Sequence, residues 1–202
     1  MNKIAILSAV AGLSAMLSGS GSAPAMATPS LCDGIAGNLV LNCGFETHDF
    51  TDWKQGGNLT FTSVQNYAAH TGTYGISEGP FGSDGTLTQT LTTTPGTTYQ
   101  ITVWFGSITG NEGGPSDFDV TFGSEDIDPI YPGESPFTFK AYSFDAVAGP
   151  GPTTDLVLSF RNDNGLDQID DISVVPAPEP STLLLLGTGL LGLGLARRRR
   201  AA

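Results

Sequence analysis

Apolar residues divide this chain of 202 residues into three parts. Near the amino end, residues 4–17 are mostly Ala, Ile, Leu, Val and Met. Near the carboxyl end, residues 182–196 form a second apolar run, which four arginines follow. Between these segments apolar and polar residues alternate with a period of two, and no segment sustains a period of 3.6. The pattern predicts an all-β domain between two apolar terminal segments.

Four central segments show the alternation most clearly. In each, the larger apolar side chains fall on one face of a strand and the smaller or polar ones on the other. The segments are residues 86–92 (TLTQTLT), 98–105 (TYQITVWF), 117–122 (DFDVTF) and 155–160 (DLVLSF). Turns rich in Gly, Pro and Asn punctuate this pattern. Short antiparallel strands at such spacing predict a jelly-roll β-sandwich.

The amino-terminal apolar segment has the organisation of a secretory signal peptide. Lys3 supplies a positive charge before it, and small residues follow it as far as Ala25-Met26-Ala27. A positive start, an apolar middle and an A-x-A exit are typical of signal peptides. The alternative is an ordinary buried helix. We expect cleavage after Ala27, so that residues 1–27 are removed on export.

The carboxyl-terminal apolar run is short for a membrane span. Its 15 residues reach about 22 Å as a helix, whereas the hydrocarbon core of a bilayer is about 30 Å thick. Snorkelling of Arg197 and its three following arginines permits marginal insertion, with the arginines on the cytoplasmic side. We therefore expect a transient transmembrane helix over residues 182–196. The alternative is a plain, permanent anchor.

Charge and cysteine usage fit an exported domain. Every acidic residue lies between Asp33 and Glu179, a stretch with three of the eight basic residues and a formal charge of −17. Nucleic acid is a poor partner for such a surface. The only two cysteines, Cys32 and Cys43, lie in the part outside the cytoplasm, where an even count predicts one disulfide. The alternative is two free thiols.

The end of the chain resembles the PEP-CTERM sorting signal of Gram-negative bacteria. The sequence VPAPEPSTLLLLGTGLLGLGLARRRR contains, in order, the box Pro178-Glu179-Pro180, a short apolar helix and a basic tail. The resemblance implies that residues 176–202 are a sorting signal and that exosortase is a partner. It also implies that the protein reaches the cell surface or extracellular matrix after transient anchoring in the inner membrane.

Residues 28–175 resemble carbohydrate-binding-module-like domains of the galactose-binding jelly-roll kind. NLVLNCGFETHDFTDW (38–53) is similar to their opening motif, with Cys43 in place of a usual Gly. LDQIDDISVV (166–175) is similar to their closing strand, and AHTGTYGIS (69–77) to a strand entry between the two. The order of these motifs is preserved across this segment.

This resemblance implies a structural calcium ion. Related domains hold Ca²⁺ with a carboxylate in the opening motif and another in the closing strand, which here are Glu46 and Asp170, with Asp171 as a substitute. His70 departs from the pattern, because imidazole is a poor calcium ligand. The alternative is that these carboxylates cap turns or accept backbone hydrogen bonds. Five acidic residues within 117–129 predict a solvated acidic loop rather than a dedicated site.

Three aromatic residues are candidates for stacking on sugars. Trp104 falls on the polar face of its predicted strand, and Trp53 and Tyr67 lie in loop-like sequence. The alternative is that Trp53 plugs one end of the sandwich and Trp104 packs under a loop. No nucleophile motif surrounds any serine, and no carboxylate pair stands out among so many acids.

The sequence therefore predicts a non-enzymatic surface or matrix protein that binds glycans in exopolysaccharide or biofilm. The alternative is a secreted polysaccharide hydrolase with an unrecognised carboxylate pair. Ice binding is disfavoured, because the Thr-rich segment 86–98 has no regular repeat.

Overall fold

A computed structural model describes residues 28–111, 113–130 and 135–178. These residues form ten strands and two short 3₁₀-helices, Leu31–Gly34 and Asn66–Ala68. The strands are β1 (Lys54–Gly57), β2 (Ser63–Gln65), β3 (Gly75–Glu78), β4 (Gly85–Thr92), β5 (Thr98–Ser107), β6 (Ser116–Phe122), β7 (Glu125–Ile130), β8 (Phe137–Val147), β9 (Thr153–Asn162) and β10 (Asp167–Pro176).

The strands make two five-stranded sheets. Sheet A has the order β1-β4-β9-β6-β7, and sheet B has the order β2-β3-β10-β5-β8. Every paired neighbour is antiparallel. The chain crosses between the sheets repeatedly, since β3 and β4 lie in different sheets, as do β9 and β10. The predicted all-β sandwich of jelly-roll type is confirmed.

The core lies between the sheets and consists of the inward rows that the period-two pattern predicts. On β5, Tyr99, Ile101, Val103 and Phe105 are all buried, while the intervening residues are more exposed. Phe105 of sheet B stacks on Phe118 of sheet A with ring centroids 4.8 Å apart. Apolar burial of this kind is the main favourable term in folding.

The acidic segment after β6 is a hairpin, which corrects its interpretation as a solvated loop. Residues 123–124 form a turn, and β7 returns along β6, with Glu125 opposite Phe122. The carboxylates of Glu125 and Asp126 remain exposed. β7 is the edge of sheet A, where charged side chains are tolerated because one edge and one face meet water.

The opening segment is tied to the sandwich by a disulfide. Cys32 and Cys43 are bonded, with Cα atoms 6.1 Å apart, so the predicted pairing is confirmed. Both residues are buried, and the Ile172 amide of β10 donates to the Cys43 carbonyl oxygen. The bridge therefore links the segment before β1 to the closing strand.

The domain extends slightly beyond residue 175. β10 ends at Pro176, and the Ala177 amide still donates to the Thr98 carbonyl oxygen. The predicted signal peptide, the predicted helix over 182–196, and Glu179 and Pro180 of the sorting box lie outside the described residues. Within the described part of the chain, no helix has the length and apolarity needed to cross a bilayer.

Candidate functional site

An aromatic cluster lies on the outer face of sheet B. Trp104 alternates with the buried inward row of β5 and is half-buried on the outer face, as the sequence predicts. The His70 ring stacks on it with centroids 3.8 Å apart, and Phe139 of β8 lies 5.1 Å from the same imidazole. Three flat rings thus adjoin one another on a sheet face rather than in the core.

An open cleft of about 460 Å³ lies along the same sheet. Gln168 of β10 is opposite Gly106 of β5, and the Gln168 amide donates to the Tyr67 carbonyl oxygen at 2.8 Å. Tyr67 itself is 57% exposed. The cleft is lined by Tyr67, Ser107, Ile108, Pro136, Phe137, Thr138 and Gln168. It combines an exposed ring with amide and hydroxyl groups, which suits a polar ligand with apolar faces.

The carboxylates of β10 hold the loop that carries His70. Asp170 Oδ2 accepts hydrogen bonds from the backbone amides of His70 and Thr71, at 2.7 and 3.2 Å. Asp171 Oδ2 lies 2.7 Å from His70 Nδ1 and accepts from the Thr71 hydroxyl at 2.6 Å. Asp171 Oδ1 accepts from the Cys32 amide. The two aspartates therefore position the imidazole and, through it, the Trp104 ring.

Glu46 holds the other half of that loop. Its Oε1 accepts from the amides of Thr73 and Tyr74 at 2.8 and 3.1 Å, while Oε2 is buried with no hydrogen-bond partner. A Cβ added at Gly72, whose φ is +70°, would collide with the Glu46 carboxylate and lie 3.2 Å from the Thr28 carbonyl oxygen. Oxygen donors from distant parts of the chain thus converge at a position where only glycine fits.

These donors have the chemistry of a calcium site. Burial and, second, the neighbouring Asp171 carboxylate raise the pKa of Asp170 to about 8. A cation would relieve that cost, and the buried Glu46 Oε2 requires a partner. Glu46, Asp170 and Asp171 do not form a compact triad. In the described part of the chain, only one group of three acidic, His or Cys residues has its donor atoms within 4.8 Å of one another. That group is Cys32, Asp33 and Cys43, and it includes the disulfide rather than these carboxylates. Backbone carbonyls such as that of Thr28 would have to complete the coordination.

Trp53 is not available for stacking on a ligand. It is 5% exposed, its ring lies 5.8 Å from that of Phe45, and its indole N–H donates to the Asn42 carbonyl oxygen. The expectation that Trp53 contacts sugar is therefore wrong, because the opening loop folds this ring into the core. The structure adds His70, Phe139 and Gln168 to the face that holds Trp104 and Tyr67. The sequence marks His70 only as a departure from a calcium loop, because its stacking on Trp104 depends on a contact between distant segments.

The outer face of sheet A is acidic. Asp117 and Asp119 of β6 point away from the core, and Arg161 lies opposite Asp117 on β9. Partial burial raises the pKa of Asp119 to about 6, with the charges of Asp117, Asp126 and Asp84 acting in the same direction. Partial burial, followed by the mutual repulsion of these carboxylates, explains this value without a catalytic role.

Two comparisons extend these observations. Residues 176–200 match the PEP-CTERM protein-sorting motif. The fold is similar to a galactotriose complex of TmCBM61, with a TM-score of 0.52 and 18% identity over 69% of this chain and 99% of that one. It is also similar to a family 16 carbohydrate-binding module, with a TM-score of 0.50 and 23% identity over 68% and 99% of the two chains. No curated protein matches the sequence.

One further structural neighbour is part of an enzyme. The enzymatically active domain of bacteriophage CBA120 tailspike protein 4 matches with a TM-score of 0.52 and 16% identity, over 69% of this chain but 21% of that one. All these identities are too low to show more than the fold. The protein is thus a jelly-roll sandwich of the kind seen in carbohydrate-binding modules. It carries a PEP-CTERM sorting motif, which implies export, processing by exosortase and a place at the cell surface.

Proposed function

We propose that the protein is a non-enzymatic glycan-binding component of the cell surface or extracellular matrix of a Gram-negative bacterium. The sorting tail delivers it through exosortase after a transient stay in the inner membrane, and the sandwich binds polysaccharide of the surrounding layer. The observation that carries the binding half is the outer face of sheet B, where the exposed Tyr67 lines a cleft with polar walls and Trp104, with His70 stacked on it, lies on the same face.

Physical chemistry favours a neutral glycan at this face. A sugar ring presents apolar C–H groups to an aromatic face and hydroxyls to surrounding amides, so Tyr67 and Gln168 supply complementary groups. The formal charge of −17 over residues 33–179 disfavours anionic polymers. The same charge is consistent with a layer that contains divalent cations.

A structural Ca²⁺ at Glu46 and Asp170, with Asp171 beside them, belongs to the same proposal. All the available donors are oxygens, as calcium prefers, and the ion would neutralise carboxylates that the fold buries. A calcium ion bound there would hold the loop of residues 70–74 in place. It would thereby also hold the His70 imidazole that stacks on Trp104.

Retention on a panel of immobilised neutral and acidic polysaccharides tests the binding function. Trp104→Ala and Tyr67→Ala should each weaken retention about fivefold, since one aromatic stacking contact is worth roughly 1 kcal/mol. Leu41→Ala is the matched control. Leu41 is an apolar residue with a similar exposure of 60%, but its amide donates to Gln89 of sheet A, so it does not belong to the face of sheet B.

Two outcomes would contradict the proposal. If the wild-type protein is retained on none of the polysaccharides, only a structural role is left for the sandwich. If soluble sugar is released, and substitution of an Asp or Glu abolishes the release, the protein is a hydrolase instead.

A further inference from the structure

A second set of oxygen donors lies inside the sandwich, away from Glu46 and Asp170. On sheet B, Glu78 of β3 is opposite Asp167 of β10, which is in turn opposite Ser107 of β5. Residues directly opposite in neighbouring strands project from the same face. All three are buried, with 0%, 0% and 2% exposure, so this row of polar side chains faces the interior.

Sheet A supplies the facing half of the layer. Ser116 of β6 is opposite Asn162 of β9, and both are buried. The Asn162 amide donates to Asp167 Oδ2 at 3.0 Å and to the Gly110 carbonyl oxygen at 3.2 Å, which joins the two sheets directly. We call Glu78, Ser107, Ser116, Asn162 and Asp167 the buried polar layer.

The layer closes one end of the apolar core. Two residues further along the same five strands lie Ile76, Phe105, Phe118, Phe160 and Ile169, all fully or almost fully buried. On the other side, the loops after β5 and β9 cover it. The Ile108 amide donates to the Leu166 carbonyl oxygen, and a Cβ at Gly165 would lie 2.7 Å from the Asn162 amide nitrogen. The polar atoms are thus cut off from bulk water on both sides.

Acceptors outnumber donors in this layer. Both carboxylate oxygens of Glu78 and Oδ1 of Asn162 are buried without a hydrogen-bond partner. The Ser107 and Ser116 hydroxyls lie close enough to Asp167 to lower its pKa, but Asp167 Oδ1 and the Ser116 hydroxyl make no hydrogen bond of good geometry. The Asn162 amide hydrogens are already used. Neither ion pair found among the described residues involves Glu78 or Asp167. A buried carboxylate with no partner is strongly unfavourable, so a group that the protein chain does not supply must satisfy Glu78.

We propose that the buried polar layer binds a hard divalent cation, Ca²⁺, through Glu78, Asp167 and the side-chain oxygen of Asn162. Glu78 is the decisive residue, because it is fully enclosed and both of its oxygens lack a partner. Carboxylate, amide and hydroxyl oxygens are the donors that calcium takes, six to eight in number, and nitrogen and sulfur donors are missing from this set. Mg²⁺ is a poorer fit, because it retains several waters that the enclosed layer has little room for.

The electrostatics of the layer point the same way. Burial raises the pKa of Glu78 well above its ordinary value, and the carboxylates of Asp167 and Asp117 add to the rise. Burial likewise raises the pKa of Asp167 to about 6, against the opposing effect of Ser107, Asn162 and Ser116. A cation bound between the two carboxylates would offset the cost of burying them and would connect β3, β9 and β10 across the two sheets.

Calcium titration of the full-length protein, stripped with chelator, tests this site separately from the Glu46 site. Isothermal titration calorimetry should show a calcium stoichiometry for Glu78→Gln and for Asp167→Asn that is one lower than for the wild type. Glu46→Gln should retain the inner site. Asp119→Asn, which removes one carboxylate from the exposed face of sheet A, is the charge-matched control and should leave the stoichiometry unchanged.

Thermal unfolding gives a second readout. Calcium should raise the unfolding midpoint of Glu46→Gln, and this rise should be lost in the Glu46→Gln/Glu78→Gln double variant. If Glu78→Gln and Asp167→Asn bind calcium with wild-type stoichiometry, the proposal is wrong. It is also wrong if Glu78→Gln is more stable than the wild type in chelator and in calcium alike, because a protonated acid pair then explains the layer.

A crystal grown in calcium provides a test that needs no variant. Anomalous difference density between Glu78 and Asp167 is expected, whether or not density is found at Glu46. Ordered water without an anomalous signal at that position would overturn the assignment. None of these outcomes depends on glycan retention. The inner calcium site can therefore be disproved while the proposed glycan-binding function stands, and glycan binding can be disproved while the calcium site stands.

Discussion

His70 connects the carboxylates of β10 to the aromatic face. Its backbone amide donates to Asp170, its Nδ1 lies 2.7 Å from Asp171 Oδ2, and its ring stacks on Trp104 at 3.8 Å. The side chain is 19% exposed, so it shields one side of the indole from water. Removing the ring should uncover Trp104 without opening the core, because Trp104 lies on the outer face of β5.

We expect His70→Ala to increase acrylamide quenching of tryptophan fluorescence about twofold and to shift the emission to longer wavelength. His48→Ala is the control. His48 stacks on Tyr74 at 4.2 Å and contacts neither tryptophan ring, so quenching should remain at the wild-type level. Trp53, at 5% exposure, contributes a constant, poorly quenched background. Equal quenching in the two variants would show that His70 does not cover Trp104 in solution.

Asp119 gives the stability of the protein a defined pH dependence. Its pKa is about 6 in the folded protein, against an ordinary value of 3.8, because of partial burial and then the charges of Asp117, Asp126 and Asp84. A raised carboxyl pKa means that the folded state holds the proton longer than the unfolded state. Stability is therefore lost as the pH rises from about 4 through 6, and it stays lower above that range.

Asp119→Asn should raise the free energy of unfolding at pH 8 and leave it unchanged at pH 3.5. The gain at pH 8 should be below about 1 kcal/mol, since the group is only partly buried and solvent screens its repulsions. Urea denaturation at the two pH values measures the difference. A stabilisation of equal size at both would mean that ionisation of Asp119 is not the cause.

At the scale of elements, the strands of the sandwich interior could be predicted and the edge strands could not. β4, β5, β6 and β9 lie within two residues of their predicted bounds, because each buries one face and so alternates cleanly. β8 is the edge of sheet B and has a bulge between the pairs at Phe105 and Ser107. The bulge puts Phe137 against Phe105 in the core but Phe139 beside His70 outside, so no single period describes β8.

The candidate site was harder to predict than the fold for a related reason. The alternation along β5 placed Trp104 outside, which is correct. The rings and carboxylates around it come from segments about 100 residues apart, such as His70 and Asp171. Their contact depends on the pairing of β3 with β10. The pattern of apolar and polar residues within one strand does not show which strands pair. Glu78 likewise has no recognisable motif, and only its pairing with Asp167 makes it notable.

The disulfide acts at the scale of one element, the segment before β1. It closes a loop with a sequence separation of 11 and keeps the Leu31–Gly34 turn against β10. By loop-closure entropy, Cys32→Ser/Cys43→Ser should lower the free energy of unfolding by about 3 kcal/mol.

Guanidinium denaturation under non-reducing conditions measures that loss, and the same experiment on the wild type with reductant should reproduce it. The Ser pair keeps the volume of the two side chains nearly unchanged but buries two hydroxyls, so a loss greater than that of the reduced wild type measures their desolvation. A loss below about 1 kcal/mol would show that the unfolded chain is already restricted in this region.

At the scale of the whole molecule, folding and sorting occupy separate parts of the chain. The last strand pair joins Pro176 to Tyr99, and the Ala177 amide donates to Thr98, so the sandwich is complete before Glu179. The sorting motif at 176–200 overlaps the sandwich only at its first residues. The tail was recognisable from sequence because its three parts follow in a fixed order, whereas the boundary required the pairing of β10.

Deletion of residues 179–202 should therefore abolish sorting without affecting folding or glycan binding. In the native host the shortened protein should fail to reach the cell surface, while its free energy of unfolding and its retention on polysaccharide match those of the wild type. A chain that ends at Ser173 is the matched truncation. It also removes Val174, which is fully buried, and the pairs of Val175 and Pro176 with β5. This chain should be less stable by about 3 kcal/mol or more. Cell fractionation measures the location of each chain, and urea denaturation measures its stability. If the chain that ends at Pro178 still reaches the cell surface, residues 179–202 are not the sorting signal.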